Sequence, residues 1–139
     1  MNITYSNATA YIMKKENRKY YAAYEERYKT AHAHGVSWSS NESPPVVMEV
    51  IDKYKINYNQ HILEIGCGEG RDSKIVLEHG FQLMATDISN EAIAYCKKIM
   101  PKYENNFRVL DCLSDELHEK FDFIFGIAVI HMLVLDEDR

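Results

Sequence analysis

The stretch HILEIGCGEGRDSKIVLEH, residues 61–79, combines a short apolar run, a glycine-rich turn and a segment of helical length. Residues 61–66 are typical of a buried strand, and residues 72–79 predict a short helix that ends before Gly80. In the turn between them, Gly66, Gly68 and Gly70 let the backbone bend sharply and let a ligand approach main-chain atoms. This order of strand, glycine loop and helix predicts a ligand-binding unit.

The alternation of strands and helices continues along the chain. Strands are expected at residues 81–87 and 107–111 and within residues 121–130, and Ser89 is expected to cap a helix that ends near Ile99. Upstream, Ser43 and Pro44 supply the N-cap and the first position of a helix that reaches about residue 56. Strands that alternate with helices of this length predict parallel pairing through right-handed crossovers. The predicted fold class is therefore α/β, with a doubly wound, mainly parallel sheet.

The N-terminal segment is rich in tyrosine. Residues 8–32 contain no glycine or proline and predict one helix or two short ones. Tyr20, Tyr24 and Tyr28, with Tyr21 beside them, recur at helical spacing and form one aromatic stripe. The stripe either packs on the body of the protein or forms a lid whose phenol hydroxyls meet a ligand. We predict an N-terminal helical segment at residues 1–43 and a ligand-binding domain at residues 44–139.

Composition and charge limit the partners of this 139-residue chain, whose length fits one domain. The net charge is +3 over residues 1–30 and −8 over residues 31–139, so the main body repels phosphates and nucleic acid is not an expected partner. No run of 18 apolar residues and no apolar leader core is present, so no association with a membrane is expected. Three widely spaced cysteines suit reduced thiols in the cytoplasm, and the absence of CxxC and HExxH predicts no metal site.

Three kinds of cofactor loop compete for residues 64–72, EIGCGEGRD. A dinucleotide loop, G-x-G-x-x-G, requires glycine where Arg71 stands, and a phosphate loop requires a Gly-Lys-Ser/Thr ending that is missing after Gly70. What remains is acidic-x-Gly-x-Gly-x-Gly, with Glu64 two residues before Gly66. This arrangement resembles motif I of the class I S-adenosylmethionine-dependent methyltransferases.

The acidic character of the loop favours the same cofactor. S-adenosyl-L-methionine carries a sulfonium cation, an amino-acid head, a ribose diol and an adenine, and it has no phosphate. Nearby carboxylates accept hydrogen bonds from its ammonium and hydroxyl groups and stabilise its positive charge, whereas they repel a pyrophosphate. Glu64 and Glu69 therefore favour this cation as the cofactor, with S-adenosyl-L-homocysteine as its product.

The resemblance also implies roles for residues at the carboxyl ends of the later strands, where open α/β sheets bind ligands. Asp87 matches the acidic residue that accepts both ribose hydroxyls, and Asp111 with Cys112 matches the pair that reads adenine. Ile88 and Leu113 either cover the adenine faces or lie in the core. The implied cofactor-binding residues are Glu64, Gly66, Cys67, Gly68, Gly70, Asp87, Ile88, Asp111, Cys112, Leu113 and Ile127, with Tyr28 and Trp38 covering the cofactor.

The resemblance covers residues 44–139 and implies an enzyme that transfers a methyl group in line to a small-molecule acceptor. His131 follows the fourth strand and is either a base for a protonated acceptor or a residue that caps the next helix or packs beside the cofactor. A cofactor-binding module or an inactive fragment is the alternative function. An oxidoreductase that uses a nicotinamide cofactor is disfavoured by Arg71.

Members of this family continue for three more strands. In the family's strand order, the four strands predicted here form one half of the sheet, third-second-first-fourth. The fourth strand would then be an exposed apolar edge, which proteins usually avoid. We therefore expect these residues to be a truncated methyltransferase domain, or to pair through this edge as a homodimer.

Overall fold

The computed structural model describes residues 20–38 and 46–139, so the predicted cap at Ser43 and Pro44 lies outside the described residues. A 3-10 turn at Tyr20–Ala23 leads into α1 (Tyr24–Ala33), and α2 follows at Val46–Lys53. The alternating part then consists of β1 (His61–Ile65), α3 (Arg71–Glu78), β2 (Gln82–Asp87), α4 (Asn90–Ile99), β3 (Phe107–Val109) and β4 (Phe123–Phe125). Further 3-10 turns lie at Pro101–Asn106, Ile130–Met132 and Asp136–Asp138.

The four strands form one parallel sheet in the order β3-β2-β1-β4. Ile62 of β1 pairs with Leu83 of β2 on one side and with Phe123 of β4 on the other. This sheet with its helices confirms the predicted α/β class, and its order is the one that the family resemblance implied. Because all strands run in the same direction, their carboxyl ends meet at one edge of the sheet.

β3 ends two residues earlier than the sequence predicted. The N–H of Leu110 still donates to the carbonyl of Asp87, but the N–H of Asp111 donates to the side chain of Asp115 at 2.8 Å. The N–H of Asp115 in turn donates to the carbonyl of Asp111, which closes a turn. The local side chain therefore competes with the ladder and turns the chain away from the sheet at Asp111.

One apolar core joins the sheet to the helices. Ser89 caps α4 as predicted, because its Oγ accepts a hydrogen bond from the N–H of Ala92 at 3.0 Å. The buried cluster contains side chains from α2, β1, the glycine loop, α3, β2, α4, the segment that leads into β3 and β3 itself. Its members are Val47, Ile51, Ile62, Cys67, Val76, Leu77, Leu83, Ala85, Ile93, Cys96, Met100 and Phe107. This packing holds the carboxyl ends of the strands in fixed positions.

Candidate functional site

The glycine loop after β1 has backbone dihedral angles that would be strained in residues other than glycine. Gly66, Gly68 and Gly70 have φ angles of 71°, 55° and 78°, all in the left-handed region. A Cβ on Gly66 would lie 2.4 Å from Cγ2 of Val129, and a Cβ on Gly70 would lie 2.6 Å from Cε of Met100. Glycine is therefore required here for both the turn and the close packing.

Asp87 ends β2 beside this loop and is buried. Its Oδ2 accepts a hydrogen bond from the N–H of Gly68 at 2.8 Å, and its Oδ1 accepts one from the N–H of Ser89 at 2.9 Å. Burial raises the pKa of the Asp87 carboxyl, while these backbone hydrogen bonds act in the opposite direction. The side chain is thus fixed in orientation at the strand end.

Asp111 occupies the corresponding place after β3 and is also buried. Its Oδ1 accepts from the N–H of Leu113 at 3.1 Å, and its Oδ2 accepts from the hydroxyls of Ser114 at 2.7 Å and Tyr21 at 3.1 Å. Partial burial and the neighbouring Asp111 raise the pKa of the Cys112 thiol. At neutral pH Cys112 is therefore a protonated thiol, a poor nucleophile.

A crevice opens between these strand ends. It is lined by Tyr21, Tyr24, Tyr28, Ile65, Gly66, Asp87, Ile88, Leu110, Asp111, Cys112, Ala128, Val129, Met132 and Leu133. Among the lining residues, all of which lie in the described ranges, there is no lysine or arginine. Two carboxylates between apolar walls suit a ligand with hydroxyls, an aromatic base and a positive charge, and they disfavour a phosphate.

Six of the sequence-predicted site residues line this crevice: Tyr28, Gly66, Asp87, Ile88, Asp111 and Cys112. Gly68 contributes its N–H to Asp87. Glu64 lies deeper, 2% exposed, where Ser73 donates a hydrogen bond to its Oε2 at 2.5 Å. Burial raises the pKa of Glu64 to about 8, so at neutral pH it is mainly a neutral carboxylic acid.

The other predicted site residues lie around the crevice without lining it. Cys67 and Gly70 are buried residues of the glycine loop, and Ile127 packs against the apolar core. Leu113, Trp38 and His131 are exposed. The guanidinium of Arg27 lies over the Trp38 ring, 5.9 Å from its centroid. The predicted residues at the strand ends therefore meet at the crevice, whereas Trp38, Leu113 and His131 from the neighbouring segments lie outside its lining.

The N-terminal helix covers one side of the crevice. The hydroxyl of Tyr24 donates to the sulfur of Met132 at 3.3 Å, and Tyr28 is buried against Gly68. Glu25 accepts a hydrogen bond from the hydroxyl of Ser89 at 2.6 Å at the start of α4. The tyrosine spacing indicated this stripe, but no signal in the sequence indicated the role of Glu25.

The segment after β4 closes the opposite side through Ala128, Val129, Met132 and Leu133, whereas the sequence had pointed to their neighbours Ile127 and His131. Ala128 has a φ of 57°, which is strained for a residue with a Cβ. It presents its neighbour Val129 to Gly66, whose missing side chain makes the approach possible. The glycine at position 66 was therefore the one available signal for this contact.

Two further observations on the described residues concern membranes and metal ions. None of the helices in residues 20–38 and 46–139 is long and apolar enough to span a bilayer. Within the same ranges, no group of three or more histidine, cysteine, aspartate or glutamate side chains is arranged to hold a metal ion.

The sequence matches a known family and curated proteins. A family model described as a methyltransferase domain matches residues 63–139. The chain is 25% identical over 112 residues to a probable S-adenosyl-L-methionine-dependent methyltransferase TehB of Haemophilus influenzae, which covers 79% of this chain and 35% of that protein. The chain thus spans about a third of the length of this relative.

Solved structures share the fold. A TehB-like methyltransferase from Corynebacterium glutamicum has a TM-score of 0.54 at 21% identity, covering 85% of this chain and 60% of that one. A methyltransferase from Geobacter sulfurreducens in complex with S-adenosyl-L-homocysteine has a TM-score of 0.54 at 14% identity, covering 76% and 45%. Because the family model matches more than half of the chain and the fold agrees, this chain belongs to the methyltransferase-domain family of class I S-adenosyl-L-methionine-dependent enzymes.

Proposed function

We propose that this chain binds S-adenosyl-L-methionine in the crevice and serves the transfer of its methyl group to a small-molecule acceptor. The observation that supports this most is the pair of buried carboxylates, Asp87 and Asp111, at neighbouring strand ends of a crevice with no lysine or arginine in its described lining. A cationic cofactor with a ribose diol fits such a site, and a pyrophosphate does not.

Each group of the cofactor has a proposed partner. Asp87 accepts hydrogen bonds from the ribose hydroxyls, and Asp111 with the N–H of Cys112 recognises the adenine. Ile88 contacts one face of the base, with Leu113 at the exposed end. The amino-acid head lies along Gly66 and Gly68, Cys67 and Gly70 are buried parts of the same loop, and the buried Glu64 lies in the strand that leads into it.

The cofactor supplies a methyl group that its sulfonium already activates. The protein then has to hold the acceptor in line with this methyl group and exclude water, an orientation effect of up to about 7–11 kcal/mol. Tyr21, Tyr24 and Tyr28 cover the crevice on one side and are suited to both tasks. Ile127 and Trp38 are proposed to bound the methyl end and the outer rim.

His131 is the proposed base for an acceptor that arrives protonated. It is exposed and directly precedes Met132, which lines the crevice. A general base contributes about 10²–10⁴-fold to the rate. His131→Gln should therefore lower kcat with hydroxyl acceptors and leave kcat with thiolate acceptors unchanged, and equal losses with both would contradict this role.

A small molecule suits this site better than a nucleic acid does. The tyrosines narrow the approach to the strand ends, and residues 31–139 carry a net charge of −8 that repels phosphates.

The three reduced thiols suit the cytoplasm.

The edge of β4 is a proposed contact with a second copy of the chain. In the described residues β4 pairs only with β1, and Ile124 on it is 54% exposed. An unpaired edge with apolar side chains favours strand pairing. Analytical ultracentrifugation should show a dimer that Ile124→Lys weakens, and a monomer at all concentrations would contradict it.

Calorimetry tests the proposed function. The chain should bind S-adenosyl-L-homocysteine and should not bind NAD⁺. A methyl-transfer assay with oxygen, nitrogen, sulfur and metalloid acceptors then distinguishes an enzyme from a binding module. Binding of NAD⁺ without S-adenosyl-L-homocysteine would contradict the proposal, and cofactor binding with no transfer to any acceptor would indicate a module without activity.

A further inference from the structure

His32, in the last turn of α1, lies between carboxylates of two other elements. Its Nε2 is 2.8 Å from Oε1 of Glu69 in the glycine loop, and its Nδ1 is 2.7 Å from Oε1 of Glu91 in the first turn of α4. The His32 side chain is 12% exposed, and its ring stacks on Tyr95 with 4.4 Å between the ring centroids. One imidazole thus joins the N-terminal helix to two parts of the domain.

This geometry specifies the charge of the ring. A neutral imidazole has one N–H and can donate to only one carboxylate, whereas an imidazolium donates to both. Burial lowers the pKa of His32, but the hydrogen bonds to Glu91 and Glu69 outweigh burial and raise it above the ordinary value. The other ionisable groups around the ring are Tyr95 and Lys98 of α4, and Tyr28 of the same helix.

Glu69 extends this connection to the segment after α1. It is 5% exposed and accepts hydrogen bonds from the hydroxyl of Ser37 at 2.6 Å and from the N–H of Trp38 at 2.8 Å. A buried carboxylate needs compensation of its charge, and the His32 imidazolium, 2.8 Å away, supplies a positive charge to it. The loop, α1 and the segment that follows are therefore held by one set of charge-assisted hydrogen bonds.

We propose that His32 is a positioning residue: its imidazolium clamps Glu69 and Glu91 together and so holds the N-terminal helix and the glycine loop in the arrangement that binds the cofactor. This inference rests on the proposed function, because it takes the glycine loop as part of the cofactor site. His32 does not line the crevice and acts through Glu69.

The clamp has a defined pH dependence. Because the pKa of His32 is raised by the clamp, the clamp is complete below about pH 6.5 and weakens as the pH rises through the raised pKa. Over that interval each pH unit lowers the ratio of the clamped to the unclamped state by up to about tenfold. Cofactor affinity should therefore fall with rising pH.

The fluorescence of Trp38, the one tryptophan in the sequence, reports the clamp without any ligand. We expect the wild-type chain to show a fluorescence transition above pH 6.5 that is absent in His32→Gln. His34→Gln is the matched control, since His34 is exposed, lies two residues away, and its ring hydrogen-bonds the carbonyl of Thr30 in its own helix rather than a carboxylate. Glu91→Gln should move the midpoint to lower pH. The same transition in all variants, or none in the wild type, would overturn the proposal.

Calorimetry with S-adenosyl-L-homocysteine between pH 6 and 9 gives the second measurement. The wild type and His34→Gln should lose affinity by up to about tenfold per pH unit above pH 6.5, and His32→Gln should bind weakly at every pH. A merely structural His32 would leave all slopes equal, which would contradict the clamp. If no variant binds while the Trp38 transition depends on His32, the proposed function fails and the clamp stands. Circular dichroism at each pH verifies that the variants are folded.

Discussion

The N–H of Gly68 donates a hydrogen bond to Oδ2 of Asp87 at 2.8 Å, which joins the loop after β1 to the end of β2. The N–H of Ser89 holds the other carboxylate oxygen at 2.9 Å. Because both oxygens are held by backbone donors, the carboxylate is oriented before a ligand arrives. Such preorganisation reduces the entropy that binding costs.

Asp87→Ala should lose about 1–3 kcal/mol of binding free energy for S-adenosyl-L-homocysteine, because two hydroxyl hydrogen bonds to a charged acceptor are removed. Calorimetry measures this difference. Asp52→Ala is the control, since Asp52 is an exposed aspartate on α2 that pairs with Lys55. Equal affinities of wild type and Asp87→Ala would contradict the ribose assignment.

Tyr21→Phe should weaken S-adenosyl-L-homocysteine binding by about 0.5–1.5 kcal/mol. The substitution removes only the hydroxyl that donates to Asp111 at 3.1 Å, so the carboxylate proposed to read adenine loses one restraint. Tyr54→Phe, at a tyrosine that is 64% exposed, should leave affinity unchanged. The same affinity for both variants would show that the Tyr21 hydroxyl has no part in the site.

Gly70→Ala should destabilise the fold more than Gly35→Ala does. Both glycines have left-handed φ angles, so each substitution costs about 1–2 kcal/mol of backbone strain. A Cβ at Gly70 would also lie 2.6 Å from Met100 and 2.9 Å from Cys96, whereas nothing lies within 4 Å at Gly35. Overpacking of this kind adds about 1–3 kcal/mol. Urea denaturation compares the free energies of unfolding of the two variants. Equal losses of stability would show that a Cβ at Gly70 meets no close neighbour.

Glu64→Gln should change how stability depends on pH. The pKa of Glu64 is about 8 in the fold because of burial, against 4.5 in its ordinary state, so the folded chain binds the extra proton. The contribution of this proton to the free energy of unfolding is fully present below about pH 4.5 and is lost as the pH rises through 8. The neutral amide has no such loss.

Urea denaturation at pH 5, 6.5 and 8 checks this difference. Relative to the wild type, Glu64→Gln should gain stability across this range, by an amount on the order of a few kcal/mol. Glu116→Gln, at an exposed glutamate, should follow the wild-type curve. Parallel curves for wild type and Glu64→Gln would show that Glu64 stays ionised in the fold.

The sequence predicted those features whose signal is local. The glycine loop, the strand that Asp87 ends and the cap at Ser89 all depend on neighbouring residues, and the parallel order followed from a family resemblance carried by such motifs. The end of β3 was placed too late, because the competition of the Asp115 side chain for the Asp111 N–H leaves no mark in the hydrophobic pattern.

The contacts that cover the site had no local signal. Tyr21 meets Asp111 across 90 positions of sequence, Glu25 meets Ser89 across 64, and His32 meets Glu91 across 59. Such pairs depend on where α1 and the 3-10 turn before it dock, which tertiary packing determines. The tyrosine stripe predicted a helix that either packs on the body of the protein or covers a ligand, but it did not predict which polar groups that face would meet.

A crystal structure of the chain with S-adenosyl-L-homocysteine tests the central claim most directly. We predict that the ribose hydroxyls lie within hydrogen-bond distance of Asp87, with the adenine beside Asp111 and the amino-acid head over the glycine loop. A ligand bound elsewhere, or a crevice that instead accepts the pyrophosphate of a dinucleotide, would contradict the account.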